Sequence, residues 1–459
     1  MTATVETNPY LSGNFAPVTN EINAYNLKVI GEIPENLTGI FLRNGPNPQF
    51  KPIGNYHWFD GDGMLHGVQI KEGKASYLNR YVRTRGFQLE NEAKKTLWTG
   101  LLEPPQMDNP YGPSKNTANT ALVYHAEQLL ALWEGGEPHA LTIPTLETIG
   151  PYNYDNKLIS PFTAHPKVDP ITGEMIFFGY SIAEPPYLQY GLISPQGKLL
   201  WTVPIDLPIG VMMHDFAITS NYTIFLDLPL TFRPERLQKG QPALQFEPEI
   251  SARFGILPRQ GNNQNIRWFE TSPCYIFHTL NAYEEGEEIV LIACRMNSTT
   301  VLGQPTNKEI ESDIPRLYEW RFHLGTGKVK EQLLCDVPSE FPRVNEQYLG
   351  RKTRYGYSGK MADSPYPLFD GIIKHDFDKG DWQIHDFGTQ KYGGEAVFAP
   401  NPNGTNSDAG WLLTFLHDEK SNSSELVIID AQDFTSSPVA RILIPQRVPY
   451  GFHGMWLAQ

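Results

Sequence analysis

Only three cysteines occur in 459 residues, Cys274, Cys294 and Cys335, and no two of them form a CxxC pair. That odd, scattered set gives no disulfide framework, and free buried thiols in a reducing cytoplasm are expected. Charged residues are also scarce, at 19%, and their balance is acidic, with a formal charge of −14. No run rich in lysine or arginine is present, so a nucleic-acid partner is not expected, because phosphates need such a surface. No stretch approaches the roughly 18 apolar residues that would span a bilayer. The opening segment, MTATVETNPYLSGNFAPV, lacks the basic and apolar regions of a secretory signal. A cytoplasmic protein is therefore expected. Short metal motifs such as HExxH are missing as well.

What is abundant is turns and flat side chains. Gly and Pro number 39 and 38, and aromatics make up 12% of the chain. One pattern recurs after residue 160: an apolar run, a polar turn with Gly, Asp or Asn, and a second apolar run. It reads HPKVDPITGEMIFFGYS, GLISPQGKLLWTV, LYEWRFHLGTGKVKEQLL, GIIKHDFDKGDWQIHDF and WLLTFLHDEKSNSSELVIIDAQDF, and earlier ANTALVYHAEQLLALWEGG. These are β-hairpin signals. Helical periodicity is confined to ENEAKKTLWTGLL near residues 90–102 and RPERLQKG near 233–240. Many hairpins with short connections predict an all-β fold, and their blade-like repetition favours a β-propeller.

Four of the twelve histidines, His165, His214, His278 and His453, lie in or beside strand-like apolar segments, 49, 64 and 175 residues apart. Only a fold that returns its strands to one axis could bring them together. If they meet, four neutral imidazoles suit a borderline transition metal. Read singly, each is as well explained as a hydrogen-bonded core residue, and spacing alone leaves both readings open. The other eight, including His57, His66, His125 and His323, take the core reading, and His385 and His417 that of surface or packing residues.

The segments around these histidines resemble one family. ANTALVYHAEQLLALWEGGEPHAL, SPFTAHPKVDPITGEMIFFGYS, MMHDFAITSNYTIFLDLPLTFRP, ARFGILPR and VPYGFHGMW look like carotenoid cleavage dioxygenases. GIFLRNGPNPQF and HWFDGDGMLHG extend the likeness toward the N-terminus, so it covers essentially the whole chain. The chain is similar to the plant and cyanobacterial branch that cuts the 9,10 and 9′,10′ double bonds.

The resemblance implies a seven-bladed β-propeller, residues 1–459 as one domain, with a cap of loops and short helices over its top face. It implies one Fe(II) per chain on His165, His214, His278 and His453, with O2 as co-substrate. Glu134, Glu340 and Glu395 match family carboxylates, expected to pair with His214, His278 and His453. A carboxylate there fixes the imidazole tautomer, and the small, apolar surroundings of Glu395 in GGEAVFAP argue against a solvated acid. Thr120 matches a family threonine close to the iron, where its methyl group partly blocks an open position. The ordinary reading of a Thr entering a strand is β-propensity.

A long apolar polyene requires an apolar tunnel. Trp133, Phe162, Met212, Met213, Phe277 and Phe452, next to the site residues, are the candidate lining. Plain core packing explains any one of them equally well. Alternatives within the superfamily are a stilbene-cleaving oxygenase, a central-cleaving, retinal-forming oxygenase and a retinoid isomerase. The stilbene branch places a lysine before the first glutamate, where this chain has Trp133. A non-catalytic carotenoid-binding propeller is the alternative of another class. Since carotenoids reside in bilayers, peripheral membrane contact through an apolar patch at the tunnel mouth is expected.

Overall fold

A computed structural model describes residues 8–104, 106–301 and 313–459. Met1–Thr7, on which the reading of the N-terminal segment partly rests, lie outside the described residues. The strands form seven antiparallel sheets of four to six strands, arranged as the seven blades of a propeller, plus one two-stranded hairpin.

The blades follow one another along the chain. Their first strands are Ala121–His125 in the second blade, Lys167–Val168 in the third, Ala217–Ile218 in the fourth and Tyr275–Glu285 in the fifth. Ser339–Arg343 and Val397–Pro400 open the sixth and seventh. Both chain ends close the ring. The C-terminal strand Gly454–Ala458 pairs with Gly39–Arg43 in the first blade, and the N-terminal strand Val29–Gly31 pairs with Ala440–Leu443 in the last. Innermost strands touch between the first and second, fourth and fifth, fifth and sixth, and seventh and first blades, which puts them around a common axis.

Apolar runs make this architecture because most strands are covered on both faces by adjacent blades. In EIVLIACRM (Glu288–Met296), every residue after the first is buried. The core accordingly divides into clusters between blades. Phe178, Phe225, Phe254 and Trp320 fill the space between the third, fourth and fifth. Phe162 belongs to such a cluster, its ring stacked on Phe177 at 4.6 Å.

Loops and short helices cap one end. The single α-helix among the described residues spans Arg85–Ala93, so the expectation of a helix over 90–102 is corrected. Thr84 caps its N-terminus by accepting from the Phe87 N–H, and Lys94 ends it in the left-handed region at φ 54°. RPERLQKG forms a 3-10 turn, Pro234–Lys239, between the strands of the extra hairpin, Leu230–Phe232 and Leu244–Phe246. No helix among the described residues is long and apolar enough to cross a membrane.

Candidate metal centre and substrate cavity

Each blade delivers a site residue near the axis, and the second adds Glu134, just after its strand Gln128–Leu132. His453 directly precedes the innermost strand of the first blade, and Thr120 that of the second. His165 and His214 stand in the segments entering the third and fourth. His278 lies within the long first strand of the fifth, at a bulge where the pairing register shifts. Glu340 sits in the first strand of the sixth, and Glu395 precedes that of the seventh. A β-bulge re-aims a side chain that regular alternation would point elsewhere.

One nitrogen from each of His165, His214, His278 and His453 falls within 4.8 Å of the others. Nε2 of His165 and Nε2 of His214 are 3.1 Å apart. Metal–imidazole bonds of about 2.0–2.1 Å would put neighbouring ligand nitrogens roughly 3 Å apart, so the spacing fits an ion. His278 Nε2 is buried without a hydrogen-bond partner, which a metal bond would satisfy.

Three carboxylates stand behind the ring. Glu134 lies 2.5 Å from His214 Nδ1, Glu340 2.7 Å from His278 Nδ1 and Glu395 2.9 Å from His453 Nδ1. An ionised carboxylate only accepts, so each Nδ1 carries the proton and donates it. That leaves the Nε2 lone pair facing the centre, the tautomer a metal requires.

The electrostatics leave two of the rings unprotonated and one inclined to take a proton. Burial holds His165 neutral, far below the usual imidazole range, and the other three rings add to the effect. His453 is lowered to about 4, burial outweighing Glu395. His214 goes the other way: burial opposes its charge, yet Glu134 raises its proton affinity. Glu395 is held at about 2, because Arg343 and His453 outweigh burial.

Thr120 accepts the His453 N–H on its carbonyl at 3.2 Å, and its hydroxyl donates to Asn119 Oδ1 at 3.0 Å. With the hydroxyl so engaged, its methyl group is the part free to face the cavity. Glu134 has a further partner not anticipated from sequence. Tyr180 donates its phenol to Glu134 Oε1 at 2.6 Å, and burial, then Glu134 itself, keeps that phenol protonated. A Cβ on the preceding Gly179 would come within 1.9 Å of the Pro161 carbonyl, so glycine lets this strand press against the segment leading to His165. The sequence cue was a tyrosine ending the wholly apolar run MIFFGY. Arg343, 3.4 Å from Glu395, was also missed.

A cavity of about 800 Å3 opens onto the histidines. His214, His278, His453, Thr120, Glu134 and Glu340 all line it, whereas His165 does not reach its wall. Of the expected tunnel residues, Trp133, Met212, Phe277 and Phe452 line the cavity. Phe162 and Met213 do not: both are buried in clusters between blades, Phe162 against Phe177 and Met213 among the third-to-fifth-blade core. His57, read as a core residue, also lines the cavity, while His385 and His417 are buried.

Fold and site together give a β-propeller with four histidines placed to hold a metal ion, three of them on the wall of an apolar cavity. The retinal pigment epithelial membrane protein family matches residues 15–458, and the chain belongs to that family. It is 45% identical to the carotenoid 9,10(9′,10′)-cleavage dioxygenase 1 of Pisum sativum, over 98% of this chain and 90% of that protein. Among solved structures, the lignostilbene dioxygenase of Pseudomonas brassicacearum superimposes with a TM-score of 0.91 at 31% identity, covering 99% of both chains. The cobalt-substituted apocarotenoid oxygenase of Synechocystis gives a TM-score of 0.87 at 31% identity, covering 96% of this chain and 97% of that one.

Proposed function

We propose that this protein is a non-haem iron(II) dioxygenase that cleaves a conjugated C=C bond of a carotenoid or apocarotenoid at the 9,10 and/or 9′,10′ position. The observation that carries this reading is a four-histidine cluster, three of whose rings line an apolar cavity, in a chain 45% identical to a plant enzyme named for that cut. Iron(II) held by His165, His214, His278 and His453 would supply the dioxygen chemistry. The residues 1–459 act as one domain, since strands near both ends complete blades of the same ring.

The chain's own residues bind and orient the polyene. Trp58, Phe59, Phe277, Phe341 and Phe452 offer aromatic faces beside His214, His278 and His453, a dry surface suited to a conjugated chain. Glu134, Glu340 and Glu395 hold three ring protons on the outward nitrogens. Thr120 narrows the approach near His453.

The net reaction balances as one C=C bond plus one O2 giving two carbonyls. The methyl-bearing carbon 9 becomes a ketone and the hydrogen-bearing carbon 10 an aldehyde. Incubation with β-carotene or an apocarotenal under labelled O2 is expected to place one labelled oxygen in each product. Retinal as the main product would move the cut to the central bond. The likeness to a lignostilbene dioxygenase makes a phenolic stilbene the competing substrate. Trp133 on the cavity wall offers no ammonium to bind a phenol, so resveratrol should be turned over poorly. Rapid resveratrol cleavage would reverse this assignment.

The polyene must leave a membrane to reach the cavity. Ile53 and Leu101 both line the cavity and are exposed, which marks its mouth, and the exposed Met107 and Tyr111 lie in the same segment as Leu101. These side chains would rest on the lipid interface of a cytoplasmic membrane face. Replacing Ile53, Leu101 and Met107 together by serine should weaken sedimentation with phospholipid vesicles and leave turnover of detergent-dispersed substrate intact. Unchanged sedimentation would remove this surface from the proposal.

A further inference from the structure

Three of the four histidines have a glutamate on Nδ1. Among the described residues, His165 has no carboxylate within ion-pair range. It is also among the two least supported by backbone pairing. The strands following His165 and His214, Lys167–Val168 and Ala217–Ile218, are two residues long, whereas His278 lies in the eleven-residue strand Tyr275–Glu285.

A single buried carboxylate joins these three segments. Asp215, the residue after His214, accepts from Lys167 Nζ on Oδ1 at 2.7 Å, and Lys167 is two residues beyond His165. Its Oδ2 accepts from both the N–H and the hydroxyl of Thr279, each at 2.8 Å, and Thr279 follows His278. Oδ1 also takes the N–H of Phe216 at 2.8 Å, and the Lys167 ammonium lies 5.7 Å from the centre of the Phe216 ring. The carboxylate is thus fully engaged, facing a cation from the third blade and two donors from the fifth.

We propose that Lys167, Asp215 and Thr279 form a positioning clamp that sets where His165 stands relative to His214 and His278. The inference rests on reading the four histidines as a metal site. The long fifth-blade strand is the rigid reference. Asp215 transfers its position to the fourth-blade segment, and Lys167 transfers it to the third. For His165 this replaces the hydrogen-bonded glutamate that orients each of the other rings. A charge pair at 2.7 Å in a buried setting has one preferred geometry, so it fixes a loop better than packing alone. None of the three touches the ion or the polyene.

The test is titration of metal-free protein with Co(II), followed by its visible absorption, so turnover is not the readout. Removing Lys167 alone would strand a buried carboxylate, so the neutral double variant Lys167→Met/Asp215→Asn is used. Asparagine still accepts from the Thr279 N–H. We expect Co(II) binding weakened roughly 10–100-fold, as when an outer partner of a ligand is lost, with an altered absorption band. Thr279→Val should shift the band with a smaller loss of affinity, and Thr279→Ser should restore both. A folded double variant with wild-type affinity and spectrum would overturn the clamp. If the double variant does not fold, an unchanged spectrum in Thr279→Val does the same. Failure of the wild-type protein to bind Co(II) would instead overturn the metal-site reading itself.

Discussion

Replacing His278 by alanine is expected to abolish turnover and metal retention while leaving the propeller folded. Of the four imidazoles, His278 has its Nε2 buried with no partner among the described residues, and its Nδ1 committed to Glu340 at 2.7 Å. A bond to an ion would satisfy that inner nitrogen. Loss of an outer partner alone lowers metal affinity roughly 10–100-fold, and loss of the ligand should exceed that. The backbone around it belongs to an eleven-residue strand paired along most of its length with Glu288–Met296, so the fold does not depend on the imidazole. Metal content after dialysis, product formation and a thermal melt together check this. His375 provides the control. It is also buried and neutral, its pKa lowered to about 3 by burial, but it pairs with Ser358 in the interior of the sixth blade. His375→Ala should lower stability and keep the metal. Full metal content and rate in His278→Ala would remove the axial site from the mechanism.

The contrast between those two histidines marks where sequence reasoning stops. Both sit in apolar strands, and nothing local distinguishes YIFHT from IIKHD. Spacing could not tell ligand from core, because the four ligands meet only through closure of a ring whose pairing partners lie hundreds of residues apart. The hairpins themselves were legible. Their strands are continuous apolar runs with polar turns, and WLLTFLHDEKSNSSELVIIDAQDF folds as the paired strands Gly410–Asp418 and Ser423–Asp430. Blade number and the ligand set came from resemblance rather than from periodicity.

The errors have physical causes. ENEAKKTLWTGLL has good helix formers, but capping decided the boundaries: Thr84 starts the helix before Glu90, and Lys94 ends it. Phe162 and Met213, near ligands in sequence and open to either a tunnel or a core reading, take the core one. Extended backbone turns alternate side chains to opposite sides, so nearness in sequence puts about half of such residues in the core. Tyr180, Lys167, Asp215 and Thr279 were passed over because each looks like an ordinary strand or turn residue until its partner from another blade is in place.

The three glutamates are expected to respond unequally to substitution by glutamine, in the order Glu134, Glu340, Glu395 from mildest to most severe. All should fall within the roughly 10–100-fold loss of metal affinity typical of such partners. At position 134 the amide can turn its oxygen to His214 and its nitrogen to Tyr180, whose hydroxyl can accept as well as donate. Hydrogen bonding is then complete, and the loss should be about tenfold. At position 340, Oε2 serves both His278 and the Phe341 N–H, while Oε1 is buried with no partner. Glutamine keeps the two bonds but leaves an unpaired amide in the Oε1 position, at an added cost of about 1–3 kcal/mol in stability. At position 395 no orientation works. One oxygen takes His453 and the other takes Gly454 and Arg343, so an amide nitrogen must face a donor wherever it points. Arg343 also loses its buried counter-charge and retains only Glu346 on the exposed side. The glutamate pKa, held at about 2, lies below the roughly 4.3 of an unfolded chain. Its contribution is therefore present above about pH 4 and is lost only as pH falls toward 2, so the ordering should hold throughout the neutral range. Glu395→Gln should lose affinity about 100-fold and stability by about 2–3 kcal/mol, somewhat under the usual figure for a stranded buried charge. Metal titration and denaturant melts of the three variants measure both quantities. Equal losses at all three positions would mean that the carboxylates act through net charge alone, and not through the hydrogen bonds each one makes.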